Sequence, residues 1–507
     1  MGGLVERGRS IAMAEQRITP RAEDYNQWYQ DVVAQAELAE PAGVVRGCMV
    51  IRPHGFAIWE KMQADLDRRF KATGHKNASF PLLIPMSFIN REAEHVEGFA
   101  PELAVVTHAG GKELEEQYAI RPTSETIIGH FFSRWIDSHR DLPLLINQWC
   151  NVMRWELRTR LFLRTGEFLW QEGHTAHSTH AEAQEEVARM LDVYRDFCRE
   201  QMAMPVVRGI KTESERFAGA IETRSIEALM QDGKALQSGT SHDLGQNFGK
   251  AFNVTFQNDS GEREHVWQTS WGVSTRLVGA LIMSHSDDDG LVLPPRLAPI
   301  HVAIVPIHKT PEERTQVVER ANALAALLRD DGLAVEVDDR DDMRPGAKYF
   351  DWERKGVPLR LEVGPRDLAE NAVMAKLRVA EPDERGRPRK EKLPMEDLGV
   401  SVGKLLDGFQ RFLLERAQAR LEASSCTVDT WDEFQDVFRD GESSRFVYAH
   451  WDGSAETEAA IKAETKATIR CLPYADDRPS ASPAPEPGRC VRTGEPSEQR
   501  VLFAKAY

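Results

Sequence analysis

Two arginines lie in segments whose composition suits the binding of an anionic ligand. Arg154 begins a stretch that continues through FLRT (162–165) and FLWQEGH (168–174). Arg276 lies within GVSTRLVG (272–279). A guanidinium group stays charged at physiological pH and offers two directed N–H donors to a phosphate or a carboxylate. A single arginine of this kind is more often a surface or salt-bridge residue, so the interpretation depends on several segments together.

Three other segments gather carboxylate, hydroxyl, imidazole and aromatic side chains, namely RPTSE (121–125), SERFA (214–218) and KALQSGTSHDLGQNF (234–248). Each of them has an ordinary alternative. RPTSE is typical of a helix start at which Thr123 or Ser124 caps the backbone. An isolated His242 or Trp170 is more often a core residue than a ligand-binding one. Only the combination of segments indicates a binding site.

The elements that would position these segments follow from hydrophobic spacing. Residues 55–73 predict a helix, because apolar side chains recur at every fourth position and Gly74 suits the C-terminal cap. A short apolar strand bounded by prolines follows over 80–85. The same patterns predict a helix from near Thr123, a buried strand over Leu144–Cys150, an amphipathic helix over Thr179–Met202 and a strand that runs into a helix over 265–283.

After a boundary at Leu293–Pro299 the pattern changes to alternating strands and helices. Strands are predicted over Ile300–Ile307, Leu333–Val337, Leu359–Val363 and Ala372–Val379, and helices over Pro311–Asp330 and Gly346–Lys355. This alternation predicts a small α/β domain with a mostly parallel sheet. A third segment starts with a helix near Val402–Ser424 and contains PSASPAPEPG (479–488), which is too rich in proline for regular structure. The predicted divisions are an arm over 1–22 and domains over 23–297, 298–400 and 401–507.

Composition narrows the class of protein. With 507 residues, 41% hydrophobic and 28% charged, the chain suits a globular protein of about three domains. The N-terminus shows no signal peptide, no apolar run is long enough to span a membrane, and the six cysteines are scattered. We therefore expect a cytoplasmic protein with free thiols and no membrane partner. The net charge of −16 neither excludes nor supports nucleic acid as a partner, because local basic patches can bind RNA.

In order and spacing, the segments resemble the three motifs of class II aminoacyl-tRNA synthetases. The first motif is the helix over 55–73 that leads to Pro81, and the other two contain Arg154 and Arg276. With EGH (172–174), the three polar segments are similar to prolyl-tRNA synthetases of the archaeal and eukaryotic-like type, over nearly the whole chain. The resemblance implies an α/β and α+β multidomain protein: a class II catalytic domain on an antiparallel sheet, an α/β anticodon-binding domain and a small α+β C-terminal domain.

The resemblance also implies roles for the residues of the first domain. It places Arg154 at the α-phosphate of ATP and Arg276 at the γ-phosphate. The remaining residues that it assigns to the nucleotide are Arg164, Gln237, Thr240 and Ser274, with Mg²⁺ near Gln237. For proline it implies Glu125 and Thr123 at the secondary ammonium, Trp170, His174 and Phe217 around the ring, with Glu172 also in the proline site, and His242 orienting the amino acid. A secondary ammonium removed from water needs such an anion and hydroxyl.

The implied substrates are L-proline, ATP and tRNA(Pro), and the implied assembly is a homodimer. Proline's carboxylate is already ionised, so catalysis rests on positioning and on electrostatic stabilisation at the α-phosphate, and no general base is named. Bacterial-type relatives insert an editing domain between motifs two and three. Here residues 173–267 are occupied by the helix 179–202 and the polar segments, so no editing activity is expected.

Segment 338–368 is similar to the anticodon-binding domain of class IIa synthetases. By family position, Glu353, Arg360 and Arg366 would read the guanines of proline anticodons, since arginine matches guanine's acceptor edge. Each of them alone also fits an exposed polar rim. A basic run is either a phosphate-contacting patch or a solvated hairpin, and it comprises Lys376, Arg378, Arg385, Arg387, Arg389, Lys390 and Lys392.

Many relatives bind zinc in the C-terminal domain through four cysteines. Alignment by IRCLP (469–473) puts Asp452, Thr457, Cys490 and Thr493 at those positions, and one soft ligand in four does not hold structural zinc. We therefore expect a degenerate site without zinc. The terminal Tyr507 resembles the family's last residue, whose carboxylate folds towards the catalytic domain, so a C-terminal tag is expected to impair activity.

Two alternatives remain at this stage. The run Thr-Ser-Glu after Arg-Pro also resembles threonyl relatives, so specificity for threonine or histidine is the nearest competitor, although segment 234–248 favours proline. The other alternative is a synthetase-like protein that binds tRNA without catalysis. Retention of both arginines and of the proline set argues against it.

Overall fold

The first domain is built on antiparallel strands. The computed structural model describes residues 17–95, 103–156, 158–380, 389–439, 444–477 and 487–507. The helices of this domain are α1 (Tyr25–Gln35), α2 (Pro53–Ala72), α3 (Met86–His95), α4 (Glu125–Trp135), α5 (His180–Glu200), α6 (Asn247–Ala251) and α7 (Arg276–His285). Its strands are β1 (Ala39–Pro41), β2 (Met49–Ile51), β3 (Lys76–Asn77), β4 (Leu83–Pro85), β5 (Val105–Ala109), β6 (Lys112–Ile120), β7 (Leu144–Met153), β8 (Glu167–His177), β9 (Val207–Ile210), β10 (Glu222–Leu229), β11 (Ala235–Gly245), β12 (Thr255–Gln257), β13 (Arg263–His265) and β14 (Trp267–Ser274).

Helix α2 confirms the prediction from hydrophobic spacing. Its stripe of Ile58, Met62, Leu66 and Phe70 is fully buried. The helix begins at Pro53, whose missing N–H is not needed in the first turn, and it is followed by Gly74 at φ +92°. The predicted strand over 80–85 is shorter than expected, because only Leu83–Pro85 joins a sheet as β4.

The central sheet runs in the order β9-β10-β11-β14-β8-β7, with every neighbouring pair antiparallel. Strand β7 extends to Met153, beyond the predicted end, because it pairs with β8 along its whole length. Helix α5 confirms the predicted helix over 179–202 and buries its predicted face, including Tyr194 and Phe197. The predicted strand-to-helix segment over 265–283 corresponds to β14 and α7, and α7 is buried from Leu277 to His285.

The second domain alternates strands and helices as predicted. It contains β15 (Val302–Pro306), α8 (Pro311–Asp330), β16 (Val335–Val337), α9 (Pro345–Arg354), β17 (Leu359–Val363), α10 (Pro365–Ala369), β18 (Ala372–Leu377), β19 (Glu391–Pro394) and α11 (Leu398–Ala423). The prediction of a mostly parallel sheet is wrong. Strand β15 is parallel to β16 and β17, but β17–β18 and β18–β19 are antiparallel. The connection over 364–371 is too short for a parallel crossover.

The third domain extends the sheet of the first. It contains β20 (Ser425–Thr427), α12 (Trp431–Arg439), β21 (Phe446–His450), α13 (Ala455–Thr465), β22 (Thr468–Pro473), β23 (Gly488–Arg489), β24 (Pro496–Ser497) and β25 (Arg500–Ala504). Strand β22 pairs with β9, so one sheet of eleven strands crosses the domain junction. Gly209 permits this close approach, because a Cβ there would lie 2.6 Å from Cys471 Sγ. Most of the proline-rich run 479–488 lies outside the described residues.

Helix α11 packs against the first domain and leads into the third. Its Arg416 and Arg420 donate to the carbonyls of His285 and Ser284 at the end of α7 (2.8 and 2.9 Å). The helix crosses the predicted boundary at position 400 and begins four residues before the predicted start at 402. Most of the predicted arm over 1–22 lies outside the described residues. Within the described ranges, no helix combines the length and apolar character that a membrane span requires.

Candidate active site

A cavity of about 770 Å³ opens on the sheet of the first domain. Its walls come from strands β8, β10, β11 and β14, the start of α4 and the loop 154–165. All the site residues predicted in this domain line it: Thr123, Glu125, Arg154, Arg164, Trp170, Glu172, His174, Phe217, Gln237, Thr240, His242, Ser274 and Arg276. The structure therefore brings together residues that are up to 153 positions apart in the chain, from Thr123 to Arg276.

Strand alternation explains why these side chains share one face. Trp170, Glu172 and His174 occupy alternate positions of β8, so all three point to the cavity. The residues between them face α5 and the core. A Cβ at Gly173 would lie 2.0 Å from the Trp271 ring, so a side chain at 173 is sterically excluded.

The two arginines are each anchored by one N–H. Arg154 donates from Nε to the Pro122 carbonyl (3.1 Å), and its guanidinium lies 5.4 Å from the centre of the Trp170 ring. Arg276 is the first residue of α7 and donates from Nε to the Leu163 carbonyl (3.2 Å). Within the described part of the chain, neither is paired with a carboxylate. Their other N–H groups are therefore available to an anion, which the N-terminus of α7 also favours.

Removal from water lowers the pKa values of both arginines. It lowers the pKa of Arg276 to about 10, and the positive charges of Arg154 and Arg164 lower it further in the same direction, while Glu227 opposes them. Burial likewise lowers the pKa of Arg154. A pKa near 10 leaves Arg276 charged at neutral pH. The cavity thus presents two cationic side chains, Arg276 half-buried and Arg154 exposed, that gain from a negatively charged ligand.

Two carboxylates, Glu125 and Glu172, line the part of the cavity that is called its acidic end below. Glu125 is the first residue of α4 and accepts a hydrogen bond from the Thr123 hydroxyl. Glu172 accepts from Ser124, from Gln148 Nε2 (2.9 Å) and from His174 Nε2 (3.0 Å). The alternative for RPTSE was a helix start capped by Thr123 or Ser124. The helix does start there, with Ser124 at the N-cap position, but the Ser124 side chain does not cap the backbone.

Glu172 and His174 each favour the charged form of the other. Burial opposes the charge of Glu172, but hydrogen bonds from His174, Ser124 and Gln148 outweigh it and hold the pKa of Glu172 below its usual value. Burial also opposes the charge of His174, yet its contact with Glu172 raises the pKa of the imidazole. Glu125 and Glu172 act electrostatically on His174 and also on Arg154. Carboxylate oxygens at this position can accept charge-assisted hydrogen bonds from a positively charged ligand group.

Aromatic side chains border the acidic end. The rings of Phe217 and His242 lie 4.6 Å apart, and His242 Nδ1 shares a hydrogen bond with the Thr223 hydroxyl (3.0 Å). Burial lowers the pKa of His242 to about 3, and the charge of His174 adds to this, so His242 is neutral. Trp170 donates from Nε1 to Cys150 Sγ (3.1 Å). The arrangement suits a compact apolar ring with one cationic nitrogen.

Several residues in the cavity wall or directly behind it had not been predicted. Gln148 connects Glu172 to the Phe80 backbone N–H (2.6 Å), and Arg160 lies between the rings of Tyr29 and Tyr507, 5.0 Å from each centre. These contacts join segments far apart in the chain, so no local signal marks them. Phe162 did carry a signal, since it lies in the noted FLRT run (162–165); it adopts φ +61°, which is uncommon for a residue with a side chain.

Comparisons with known proteins agree with this geometry. The family described as tRNA synthetase class II core domain (G, H, P, S and T) matches residues 106–285, the anticodon binding domain matches 301–402, and the prolyl-tRNA synthetase C-terminal family matches 431–507. A proline–tRNA ligase of Porphyromonas gingivalis is 56% identical over 511 aligned residues, with 98% of this chain and 100% of that protein covered. A proline–tRNA ligase of Chloroflexus aggregans is 56% identical over 496 residues, with the same coverage.

The chain belongs to the prolyl-tRNA synthetase family. The predicted fold class is thereby confirmed, since the class II core and the anticodon-binding domain are both matched. The structure adds the antiparallel sheet on which the synthetase cavity lies.

The synthetase's anticodon-binding candidates lie on the second domain. Arg360 of β17 donates to Glu353 Oε1 (2.7 Å) and to Glu362 Oε1 (3.0 Å), and its guanidinium lies 3.8 Å from the centre of the Tyr349 ring. Arg366 lies on α10 and is exposed. The structure thus brings Glu353 and Arg360 into direct contact. Among the described residues, Arg366 forms no hydrogen bond or ion pair with either of them.

The basic run does not form one surface. Arg378 is buried and forms an ion pair with Asp287 of the first domain (2.6 Å), so both interpretations of the run are wrong for this residue. Lys376 and Lys390 pair with Glu353 and Glu362. Arg385 and Arg387 lie outside the described residues. The described part of the run is therefore largely engaged within the synthetase itself.

The four zinc-ligand positions of the synthetase family hold a hydrogen-bond network. Asp452 Oδ2 accepts from the hydroxyls of Thr457 and Thr493 (2.8 Å each), and Asp452 Oδ1 accepts from Ser454 Oγ (2.9 Å). Cys490 is buried and free. In the described ranges, no group of three or more histidine, cysteine or acidic residues is arranged to hold a metal ion. This donor set does not fit zinc, which needs nitrogen or sulfur ligands.

Proposed function

We propose that this synthetase activates L-proline with ATP to form prolyl-adenylate and pyrophosphate. It then transfers the prolyl group to the 3′ end of tRNA(Pro) and releases AMP. The observation that carries the proposal is that one cavity contains both kinds of charge. Two arginines, here called its basic end, form no ion pair with a carboxylate among the described residues, and Glu125 with Glu172 forms its acidic end. This combination matches a substrate pair of a polyphosphate and an amino acid with a cationic nitrogen.

Proline binds at the acidic end. Glu125 and the Thr123 hydroxyl bind its secondary ammonium, and Glu172 with His174 holds this wall in place. Trp170, His174 and Phe217 surround the ring, and neutral His242 orients the amino acid. The dense hydrogen bonding of Glu172 supports this arrangement, since a preorganised pocket needs little rearrangement on binding.

ATP binds at the basic end. Arg154 binds the α-phosphate and Arg276 the γ-phosphate, while Arg164, Thr240 and Ser274 contact the nucleotide. The amide oxygen of Gln237 is a ligand of the type that Mg²⁺ accepts beside phosphates, and the ion would neutralise the leaving pyrophosphate. The chain's own contribution is in-line positioning and charge stabilisation, since the attacking carboxylate is already ionised.

The chain is of the archaeal and eukaryotic-like type and has no editing domain in cis. The support is that residues 173–267 are fully used by β8, α5, β9, β10, β11, α6, β12 and β13 of the first domain. A pocket this small discriminates one methylene by only about 1–3 kcal/mol, so alanine should be mischarged at a low rate. Purified enzyme is expected to leave alanyl-tRNA(Pro) intact, and its deacylation would contradict the assignment.

The enzyme acts as a cytoplasmic homodimer. The support is a cluster of exposed apolar residues in the first motif and the hairpin before it, in which Val44 is 94% exposed and Val45, Val50 and Phe56 are also exposed. Such a cluster is characteristic of a protein interface. Analytical ultracentrifugation is expected to give the mass of a dimer, and Val44→Asp with Val45→Asp should shift it towards the monomer.

The anticodon of tRNA(Pro) is read by Glu353, Arg360 and Arg366. The C-terminal domain is expected to hold no zinc, because Asp452 and two threonines occupy ligand positions. Tyr507 supports the expectation for a C-terminal tag, since its hydroxyl donates to Asp232 (2.6 Å) and the residue lines the cavity. A tag after Tyr507 should therefore lower the exchange rate, and an N-terminal tag is the control.

ATP–pyrophosphate exchange tests the proposal. Exchange should depend on proline and should be absent with threonine or histidine as the amino acid. Exchange with threonine alone would assign another class IIa specificity. Absence of exchange with all three, together with tRNA binding, would support the non-catalytic alternative.

A further inference from the structure

A buried charge cluster lies where the third domain joins the sheet of the first. Leu472 and Pro473 of β22 pair with Ile210 and Gly209 of β9, which places the two domains in one hydrogen-bonded register. Behind this pairing, Arg470 of the third domain donates from Nε to Glu227 Oε2 of β10 (3.1 Å). The ion pair therefore crosses the domain junction.

Every member of the cluster is removed from solvent. Glu227 is 0%, Lys211 6% and Arg470 7% exposed. Lys211 Nζ lies 3.5 Å from Glu227 Oε1 and donates to the Arg470 carbonyl (2.9 Å), and the Ser225 hydroxyl donates to Glu227 (3.0 Å). Without Arg470, Glu227 would keep only the longer contact with Lys211, so its buried charge would be less well compensated.

Strand β22 is irregular at this ion pair. The pairing of β22 with β25 shifts between Ile469 and Cys471, so Arg470 is the extra residue. A bulge redirects a side chain, and here it turns Arg470 towards Glu227 of β10. The pairing of β10 with β11 also shifts nearby, but the extra residue there is Ser238 of β11, and Glu227 stays paired with Gln237.

The cluster lies beside the nucleotide end of the cavity. Glu227 is directly opposite Gln237 in the β10–β11 register, and opposed residues of neighbouring strands project from the same face of a sheet. Gln237 lines the cavity. Glu227 and Arg470 also act electrostatically on Arg276, Glu227 raising its pKa and Arg470 lowering it. The charge state of the cluster therefore matters to the group that binds phosphate.

We propose that Arg470 is a positioning residue for ATP, supplied by the third domain across the sheet junction. By pairing with Glu227, it keeps this carboxylate from competing with the triphosphate for Arg276 and from attracting the Gln237 amide. The inference rests on the proposed function, because it assumes that the basic end of the cavity binds ATP. The third domain is then a part of the nucleotide site and not only a structural appendage.

The test compares three variants of the full-length chain. Arg470→Met should raise the Kd for ATP·Mg²⁺, measured by equilibrium titration without proline, by roughly 10-fold or more, as expected when a buried charge loses its partner. The KM for ATP should rise in parallel, while the KM for proline stays within about 3-fold. Glu227→Gln combined with Arg470→Met removes the carboxylate that would compete for Arg276 and leaves Lys211 as the one charge of the cluster. This double variant should return ATP binding to within about 3-fold of wild type, since coupled residues are not additive.

Arg500→Met is the matched control. Arg500 is a buried arginine of the same domain, 6% exposed and paired with Asp429, and it does not line the cavity. This control is expected to lose thermal stability and to keep its affinity for ATP. Equal changes in both KM values, the same ATP defect in Arg500→Met, or no recovery in the double variant would each overturn the proposal.

Two further outcomes keep the test decisive. If Arg470→Met does not fold, the double variant carries the test, and its own failure to fold would show that the pair maintains the fold instead. If wild-type enzyme binds ATP but exchanges with threonine, the proposed specificity fails while the titration still tests Arg470.

Discussion

The arginines of the catalytic cavity and those of the anticodon-binding domain are held in different ways. Arg154 and Arg276 are each fixed by one N–H to a backbone carbonyl and, among the described residues, meet no carboxylate. Arg360 is bound by Glu353 and Glu362 and packs on Tyr349. Binding a phosphate in the cavity therefore breaks no ion pair. Reading a base with Arg360 has to compete with Glu353.

The partner of an arginine therefore determines which kind of ligand the guanidinium can bind. A carbonyl anchor orients a guanidinium without neutralising it, so the full charge remains for ATP. A carboxylate pair orients the guanidinium more strongly and presents a donor and an acceptor side by side. Guanine has an acceptor edge and a donor edge, so a fixed pair of this kind can contribute selectivity with moderate affinity.

The largest effect is expected from Arg276. Arg276→Ala should lower kcat/KM in ATP–pyrophosphate exchange by about 10²–10³-fold, the range for removal of one preorganised donor at a reacting centre. Arg276→Lys should recover only part of the rate, because a lysine lacks the guanidinium fork. Arg263→Ala is the control, since Arg263 is 55% exposed, paired with Asp137 and outside the cavity lining. A loss below 10-fold for Arg276→Ala would mean that Arg276 is not a preorganised donor to the reacting phosphates.

The next effect should appear at the acidic end. Glu125→Gln should raise the KM for proline by about 30- to 100-fold, corresponding to ~2–3 kcal/mol for one buried charge pair, with little change in the KM for ATP. Steady-state exchange at varied proline and ATP concentrations measures both constants. Glu264→Gln, an exposed carboxylate on β13, provides the control. A parallel rise in both KM values would mean that Glu125 holds the fold of the cavity and not the ammonium.

A smaller effect is expected in the anticodon-binding domain. Arg360→Met should raise the KM for tRNA(Pro) about 10-fold or somewhat more, since a specific base contact contributes ~1–3 kcal/mol. Exchange without tRNA should stay unchanged. Arg314→Met is the matched control, because Arg314 lies in the same domain in an exposed pair with Asp341. An unchanged aminoacylation KM would place Arg360 among purely structural arginines.

The smallest effect concerns stability alone. Asp452→Asn should lower the free energy of unfolding of the C-terminal domain by about 1–2 kcal/mol through weaker hydrogen bonds, with exchange unaffected. Burial opposes the charge of Asp452, but hydrogen bonds from Ser454, Thr457 and Thr493 outweigh it and hold its pKa below the usual value. The stabilisation is therefore fully present above the unfolded pKa of about 3.9 and is lost as the pH falls through the lower folded value. Melting curves at pH 6 and pH 8 should show the same difference, with or without EDTA.

Periodicity located the helices and strands because local burial determines them. The stripe of α2 and the face of α5 were predicted from residues within the same helix. The register of β22 on β9 joins residues 262 positions apart, Ile210 and Leu472, and no local pattern encodes it. The predicted strand direction in the second domain was wrong. Alternation of strands and helices does not show whether a connection is long enough for a parallel crossover.

The candidate site was predicted by resemblance more than by physics. Taken alone, Thr123 and Ser124 suggest a helix cap, yet their hydroxyls bind Glu125 and Glu172. A tertiary partner outweighed the local preference, which is common at functional sites. Arg378 was misread for the same reason, since its partner Asp287 is far away in the chain. Whether a polar side chain binds a local or a distant partner depends on where it is buried, and the sequence does not show this.

The shared sheet has a consequence for synthesis of the chain. Strand β22 leaves the ribosome long after β9, so β9 keeps an open edge until β22 has been synthesised. A product that stops before residue 468 exposes that edge and should self-associate, which light scattering of a chain ending at 424 can measure. Early termination should therefore yield aggregates in place of a partly working ligase.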